Sequence, residues 1–310
     1  MANVTALAGS SLADLGTLAT AIGNSEFSNA TELTTIAVTD TTIDATTLAT
    51  RIDSYDSING GSTTGMTLAS GATIEVDEGE ITAMLADETA NRLTIDDQLI
   101  TVTNPVSVDT ANLLAATTTG KVTATIATSE TVTELATLSA DGGTNDLTIV
   151  IKGADATSAT AAQLNTINDA TALAVNLTNV TALAGSTLAD LGTLATAINA
   201  SQFSNAGGLT TIAVSDTTVD ATTLATRIDS YDSINSGSTT DMTLASGATI
   251  NVDASEITAM LADETANRLA IVDQVITVTG AITVDNSNLL AATTTGKLTA
   301  TIATTETVTE

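Results

Sequence analysis

The sequence lacks cysteine, histidine and tryptophan, and it contains one proline among 310 residues. Without cysteine the chain has neither a disulfide framework nor thiolate chemistry, and without histidine a serine or threonine nucleophile loses its commonest base. Aromatic residues are also scarce: the chain has two phenylalanines and two tyrosines. The apolar residues are therefore small or branched, and such side chains stack well in thin, regular layers. We predict a layered protein that is not an enzyme.

Positive charge is the next scarcity, with seven Lys and Arg against 36 Asp and Glu and a net charge of −29. A polyanion repels phosphate groups, so nucleic acid is not an expected partner. No apolar run approaches the roughly eighteen residues of a membrane-spanning helix, so we expect no membrane insertion. The first residues, MANVTALAGSSLADL, have neither the basic region nor the apolar run of a signal peptide.

A long repeat dominates what is present. The stretch DATTLATRIDSYDSIN occurs at 44–59 and again, unaltered, at 220–235. The segment 3–134 aligns with 179–310 without a gap, and 24 of the 132 positions differ. We therefore divide the chain into a first repeat, 1–176, and a second, truncated copy of it, 177–310, with no linker between them.

A shorter period runs inside the long one, because pairs of an apolar residue and a threonine recur every 25 to 33 residues, with a mean near 29. Regular recurrence of this kind is typical of proteins built from stacked coils. The pattern predicts one structural ladder formed by the threonines of these pairs, which are Thr34, Thr67, Thr94, Thr123, Thr148, Thr178 and Thr210.

Each short repeat combines a strand pattern with a helix pattern. Alternating β-branched residues predict strands in LTTIAV (33–38), ATIEV (72–76), LITVT (99–103), VTATIAT (122–128) and LTIVIKG (147–153). Helical spacing follows, as in Leu48, Ile52, Tyr55 and Ile58. The predicted helix starts are two capping boxes, 11–14 and 77–80, and the N-caps Asp44, Asp109 and Ser158.

Strand followed by helix at this period predicts consecutive parallel strands with right-handed crossovers. The predicted fold is a repeat solenoid, namely a right-handed parallel β-solenoid with a short helix in most turns and about 29 residues per turn. The number of strands per turn stays open. The short repeat over 123–148 has the least room for a helix.

Two interpretations exist for the acidic stretch Asp77-Glu78-Gly79-Glu80. Clustered carboxylates are ligands that Ca²⁺ prefers, so Asp77, Glu80 and their equivalents Asp253 and Glu256 are candidate metal ligands. The second copy reads Asp-Ala-Ser-Glu, which keeps the two ends that a capping box needs and loses the middle carboxylate. We therefore favour a structural cap, with calcium as the alternative and no other cofactor.

The most polar group in the repeat comprises Arg51, Asp53, Tyr55 and Asp56, which recur as Arg227, Asp229, Tyr231 and Asp232. Arg51 and Tyr55 are four residues apart on one helix face, which predicts an arginine stem packed on the ring with the carboxylates in solvent. A contact between stacked chains is the alternative function for this group.

The Ala/Thr/Val/Asp-rich rhythm of segments such as ATAAQLNTINDATALAVNLTNVTALAGS (159–186) resembles the giant "β-strand repeat" proteins of bacterial cell surfaces. These proteins are common in cyanobacteria and similar in style to S-layer and adhesin proteins. The resemblance implies an extracellular or cell-surface location and a non-catalytic, calcium-responsive structural role in a fibre, sheath or surface layer. Open sheet edges predict that the chain binds itself, end to end. The alternative is an adhesin stalk or a ligand- or ice-binding module.

Overall fold

The structure, a computed structural model, describes residues 4–27, 32–61, 64–139, 144–236 and 240–304. Contacts divide the chain into two compact units. The first unit comprises Met1–Ala127, Leu138–Thr148 and Ala170–Leu173, and the second comprises Thr128–Thr137, Ile149–Asp169 and Ala174–Glu310. Both units are α/β, and the strand pairs of the described residues are parallel. Parallel strands combined with helices confirm the coarser part of the fold prediction.

The first unit contains two parallel sheets and four helices among its described residues. Its strands are β1 (Ala6–Ser10), β2 (Thr35–Val38), β3 (Thr42–Asp44), β4 (Gly65–Thr67), β5 (Thr73–Val76), β6 (Leu93–Thr94), β7 (Leu99–Val102), β8 (Val122–Thr125) and β9 (Asp146–Thr148). Its helices are α1 (Leu12–Gly23), α2 (Ala45–Ile58), α3 (Ile81–Thr89) and α4 (Val108–Thr117).

Two strands precede each of the helices α2, α3 and α4 along the chain. One sheet has the order β1-β2-β4-β6 and the other the order β3-β5-β7-β8-β9. The chain adds a strand to the first sheet, turns, adds a strand to the second sheet and then enters a helix. The sequence left the number of strands per turn open. The strands β3, β4 and β6 were not among those predicted, because they are only two or three residues long and give little alternation to read.

Apolar side chains line up where the strands pair. In the first sheet Ile36 pairs with Met66 and Met66 with Leu93, and all three are buried. The second sheet continues the pattern with rows of buried isoleucine and valine: Ile43, Ile74, Ile100 and Val122. Leu48, Ile52 and Tyr55 of α2 are buried as well. Each Å² of apolar surface withdrawn from water stabilises the folded state by about 25 cal/mol, and this favours packing of the sheets and helices against one another.

The second unit repeats most of these elements at residue numbers 176 higher. Its strands are β10 (Val175–Asn176), β11 (Ala182–Ser186), β12 (Phe203–Ser204), β13 (Thr211–Val214), β14 (Thr218–Asp220), β15 (Asp241–Leu244), β16 (Thr249–Asp253), β17 (Leu269–Ala270), β18 (Val275–Ile282) and β19 (Leu298–Ile302). Its helices are α5 (Val132–Leu135), α6 (Ala161–Asp169), α7 (Leu188–Asn199), α8 (Ala221–Ile234), α9 (Ile257–Thr265) and α10 (Val284–Thr293). Its sheets have the orders β10-β12, β11-β13-β15-β17 and β14-β16-β18-β19.

The helix starts test the predicted caps. The Asp44 side chain accepts the N–H of Thr47 at 2.8 Å, as predicted. Asp109 was predicted wrongly, because the N-cap of α4 is Ser107 and Asp109 lies inside the first turn. Ser158 was also predicted wrongly: it ends a short 3₁₀ helix, Ala156–Ser158, and α6 begins later, at Ala161. In both cases a second hydroxyl or carboxylate nearby offers the same hydrogen-bond chemistry, so composition alone does not choose between them.

Candidate functional site

The carboxylates of Asp77 and Glu80 form a capping box. The Asp77 side chain accepts the N–H of Gly79 at 2.9 Å, and the Glu80 side chain accepts the N–H of Asp77 at 2.9 Å. The Thr46 hydroxyl also donates to Glu80. This is the predicted structural cap.

The second copy preserves the same cap with different residues at its middle. Asp253 accepts the N–H of Ser255 at 2.9 Å, and Glu256 accepts the N–H of Asp253 at 2.9 Å. The backbone N–H and hydroxyl of Ser255 hold the pKa of Asp253 below its usual value. The described ranges contain no group of three or more acidic, histidine or cysteine side chains placed to hold a metal ion.

Arg51 and Tyr55 connect two helices of the first unit. Arg51 Nε donates to the Leu12 carbonyl at 3.0 Å, and the Tyr55 hydroxyl donates to the Leu15 carbonyl at 3.0 Å. The guanidinium lies over Gly16, where an added Cβ would overlap it. Burial of the phenol raises the pKa of Tyr55 to about 12. These contacts bind α2 to α1, which is the structural role of the group.

The second copy repeats this geometry. Arg227 Nε donates to the Leu188 carbonyl at 2.9 Å, and the Tyr231 hydroxyl donates to the Leu191 carbonyl at 3.1 Å. Gly192 takes the place of Gly16 beneath the guanidinium. A glycine five residues after a helix N-cap, present in both copies, is the sequence signal that could have pointed to this close approach.

The sequence predicted that the carboxylates of Asp53 and Asp56 on the same helix both lie in solvent. This prediction is wrong for Asp56, because both carboxylates contact Arg92 and that of Asp56 is largely buried. Arg92 Nε lies 2.8 Å from Asp56, its Nη1 lies 3.3 Å from Asp87, and its Nη2 contacts Asp53. The side chain of Asp53 is 75% exposed, whereas that of Asp56 is 20% exposed. We call these four residues the arginine cluster; it joins the turn after α3 to α2.

Burial raises the pKa of Asp87, and the nearby Arg92 opposes that rise. The second copy forms the same cluster: Arg268 lies 2.7 Å from Asp232 and 2.9 Å from Asp263, and it contacts Asp229. Sequence reasoning missed the cluster, since the arginine is 36 residues or more from two of its partners. Conservation of all four residues between the copies is the signal that was available.

The seven threonines of the predicted ladder do not form one row. In the first unit Thr67 pairs with Thr94, but Thr123 pairs with Thr101 and Thr148 pairs with Thr125. The reason is that Thr67 and Thr94 belong to one sheet and the later pairs to the other.

The remaining members of that prediction make local hydrogen bonds. Thr34 precedes β2 and donates to the Thr5 carbonyl at 3.1 Å. In the second unit Thr178 donates to Asn176 Oδ1 at 2.6 Å, and Thr210 donates to the Thr181 carbonyl at 3.4 Å. These hydroxyls donate hydrogen bonds to backbone carbonyls and to an asparagine side chain near the strand ends.

A groove of about 560 Å³ lies between α6 and α7 in the second unit. Its lining includes Asn165, Asn168, Gly192, Gln202 and Arg227. Amide and guanidinium groups of this kind offer hydrogen bonds to a polar molecule. Asn165 and Asn168 already bond to the Asp190 carbonyl and to Gln202, at 3.1 and 3.3 Å.

Comparison with protein-family models, curated proteins and solved structures gives no match. Within the part of the chain that the structure describes, no helix combines the length and the apolar character needed to cross a membrane.

Proposed function

We propose that the chain is a non-catalytic structural repeat segment of an extracellular fibre, sheath or surface layer, built as a right-handed parallel β-solenoid. One observation carries this proposal: within each unit, successive coils add parallel strands to the same sheets in matching register. Such stacking supports growth along one axis, because each coil buries its apolar edge only against a neighbour.

The ties between neighbouring coils also support a load-bearing role. The arginine cluster and the Arg51–Tyr55 contacts each join helices of different coils, and both recur in the second copy. A repeated tie of this kind stiffens a segment without supplying any catalytic chemistry. The negative charge favours solubility in a salty exterior, where ions screen the repulsion.

End-to-end association follows from the sheet edges. An edge strand presents unpaired N–H and C=O groups to any strand that can match them. Among the described strands, the edges of the four larger sheets are β1 and β6, β3 and β9, β11 and β17, and β14 and β19. Self-association through these edges is the partner interaction that we propose.

Electron microscopy of the purified chain, with and without millimolar calcium, tests the proposal. We expect filaments of constant width, and aligned samples should diffract at a spacing of about 4.8 Å along the axis. Compact particles without that spacing would contradict the solenoid and the structural function together.

Threonine pairs on neighbouring strands, each with one exposed member, favour a second candidate, a ligand- or ice-binding face. Thr218 pairs with Thr249, and Thr277 pairs with Thr299. Asp220 and Asn251 precede Thr277 and Thr299 in the same row and interrupt the pattern there. Thermal hysteresis of ice growth, compared between the natural chain and Thr277→Lys, separates this candidate from a purely structural role.

A further inference from the structure

The groove between α6 and α7 is lined by residues of three successive helices of the second unit, since Arg227 of α8 also reaches it. Its volume is about 560 Å³. The wall on α7 consists of small residues, which are Ala189, Gly192, Thr193, Thr196, Ala197 and Ala200. Small side chains leave space along the helix, and a groove of this volume is large enough for a small molecule.

Arg227 supplies a positive charge to the groove. Its Nε donates to the Leu188 carbonyl at 2.9 Å, which uses one of several N–H donors on the guanidinium. In the described part of the second unit the ion pairs belong to Arg268, so Arg227 meets no carboxylate there, although the chain has 36 Asp and Glu. Its terminal N–H groups are therefore available to an acceptor that enters the groove.

The wall on α6 supplies acceptors. Asn165 Nδ2 donates to the Asp190 carbonyl at 3.1 Å, and Asn168 Nδ2 donates to Gln202 Oε1 at 3.3 Å. The Oδ1 of Asn165 is buried, and among the residues that the structure describes it has no donor. A buried acceptor without a donor destabilises the fold, so a donor that reaches this wall is favourable.

The last residue of α6, Asp169, adds a negative charge to the same wall, and its side chain is exposed. The groove thus carries a cation from α8 and a carboxylate with two amide oxygens from α6. A guanidinium binds a carboxylate through two parallel hydrogen bonds, and an ammonium donates to amide and carboxylate oxygens. These groups together complement a molecule with one negative and one positive end.

The charge of the whole chain favours the same kind of molecule. With a net charge of −29 the chain repels a simple anion, which opposes the attraction of Arg227. A zwitterion has no net charge and is not repelled in this way. A carboxylate that is accompanied by an ammonium group is therefore the form in which Arg227 gains an anionic partner at the least electrostatic cost.

We infer that the groove between α6 and α7 is a binding site for a small zwitterion of the amino-acid type. Its carboxylate pairs with Arg227, and its ammonium donates to the amide oxygens of Asn165 and Asn168. The inference goes beyond the proposed structural function, because it assigns a ligand to these helices whether or not the chain forms a fibre.

A series of amino acids with increasing separation of the two charges tests the site: glycine, 4-aminobutyrate and 6-aminohexanoate. Titrated into the ¹⁵N-labelled full chain, at least one of them should bind with a Kd on the order of 1 mM. Binding should shift the Nε–H signal of Arg227 and the side-chain amide signal of Asn168. The Nε–H signal of Arg268 should stay in place, because three carboxylates already contact that guanidinium. No binding by any of the three compounds at about 10 mM would overturn the inference.

Matched compounds test the need for both charges. Pentanoate replaces the ammonium of 4-aminobutyrate by a methyl group, and butylamine lacks its carboxylate. In each matched set the compound with one charge should bind about tenfold more weakly than the amino acid, because it loses one charge-assisted contact. Equal affinity for the amino acid and either of its analogues would contradict recognition of a zwitterion.

Substitutions locate the two ends of the ligand. Arg227→Lys keeps the charge and loses the paired hydrogen bonds, so the amino acid should bind about tenfold more weakly. Asp169→Asn, at an exposed position, should weaken the amino acid about threefold and strengthen the simple carboxylate. Asn199→Ala is the control, since Asn199 is an exposed asparagine at the end of α7 and outside the groove lining.

Two results with these variants would overturn the inference even if the compounds bind. One is an unchanged affinity in folded Arg227→Lys, which would place the carboxylate elsewhere. The other is an effect of Asp169→Asn that has the same sign for the amino acid and for the simple carboxylate. The second result does not depend on whether Arg227→Lys folds.

Discussion

Replacing Arg92 by methionine tests the contact in which one arginine meets three carboxylates. The substitution keeps an unbranched apolar stem and removes the guanidinium that lies 2.8 Å from Asp56 and 3.3 Å from Asp87. The three carboxylates around it then face one another without a cation. We expect a large loss of stability with no change of fold.

The magnitude follows from the exposure of each partner. Asp53 is 75% exposed, so solvent screens its contact and it contributes a few tenths of a kcal/mol at most. Asp56 and Asp87 are 20% and 11% exposed, and leaving either unpaired costs about 1 kcal/mol. The expected loss in the free energy of unfolding is therefore about 2 kcal/mol. With a denaturant dependence of about 2 kcal/mol per molar urea, the midpoint falls by roughly 1 M.

The pH dependence gives an independent check. Burial raises the pKa of Asp87 above its usual 3.8, and Arg92 opposes that rise. Without the arginine the pKa rises further, so the ionised carboxyl destabilises the fold more as pH increases through it. The difference between the variant and the natural chain should be largest near neutral pH and should shrink below pH 3.8.

Urea unfolding followed by circular dichroism at both pH values measures this. Arg268→Met is the matched variant, since the second copy repeats the cluster, and it should lose a similar amount. Arg92→Lys should recover part of the loss, because a lysine meets one carboxylate and not three. An unchanged midpoint for Arg92→Met at neutral pH, or a loss that does not depend on pH, would refute the reasoning.

Three further predictions concern the contacts around α1, α2 and the acidic cap. Tyr55→Phe should cost about 1 kcal/mol in urea unfolding. The natural chain should lose stability as the pH rises from 10.0, the usual pKa of a tyrosine, to the raised pKa of about 12, because only the unfolded chain ionises in that range. Gly16→Ala should lower the melting temperature, because the added Cβ overlaps the Arg51 guanidinium. The control Gly23→Ala, whose Cβ meets no atom within 4 Å, should raise stability by about 0.5 kcal/mol. Equal effects of the two substitutions would contradict the close approach of Arg51 to Gly16. Asp77→Ala should lower the free energy of unfolding by about 1 kcal/mol, because the helix loses its cap. The melting temperature of the natural chain should be the same in calcium and in chelator. A calcium-dependent rise that this substitution abolishes would show that the stretch binds a metal ion.

The sequence predicted well the strands and helices whose pattern extends over five or more residues. ATIEV and LITVT became β5 and β7, and the spacing of Leu48, Ile52 and Tyr55 became the buried face of α2. It also predicted that Asp77 and Glu80 form a cap, because the two copies differ between them and agree at both ends. Strands of two or three residues, such as β4 and β6, escaped because so short a segment has no measurable alternation.

The candidate sites were harder to predict for a related reason. A threonine after an apolar residue is common to both sheets, so the period of the pair did not distinguish Thr94 in one sheet from Thr123 in the other. Likewise nothing in the sequence near Arg92 indicates that Asp53 and Asp56 are its partners. Both pairings depend on the number of residues that lie between successive strands.

By itself the sequence determined the repeat, the parallel α/β character and the small-residue core, since these follow from periodicity and composition summed over many residues. Only the tertiary structure decided the two sheets of the first unit, the register between their strands and the arginine cluster. Register depends on the lengths of the segments between strands, which vary along the chain. A residue far away in sequence becomes a spatial neighbour only after that register is set.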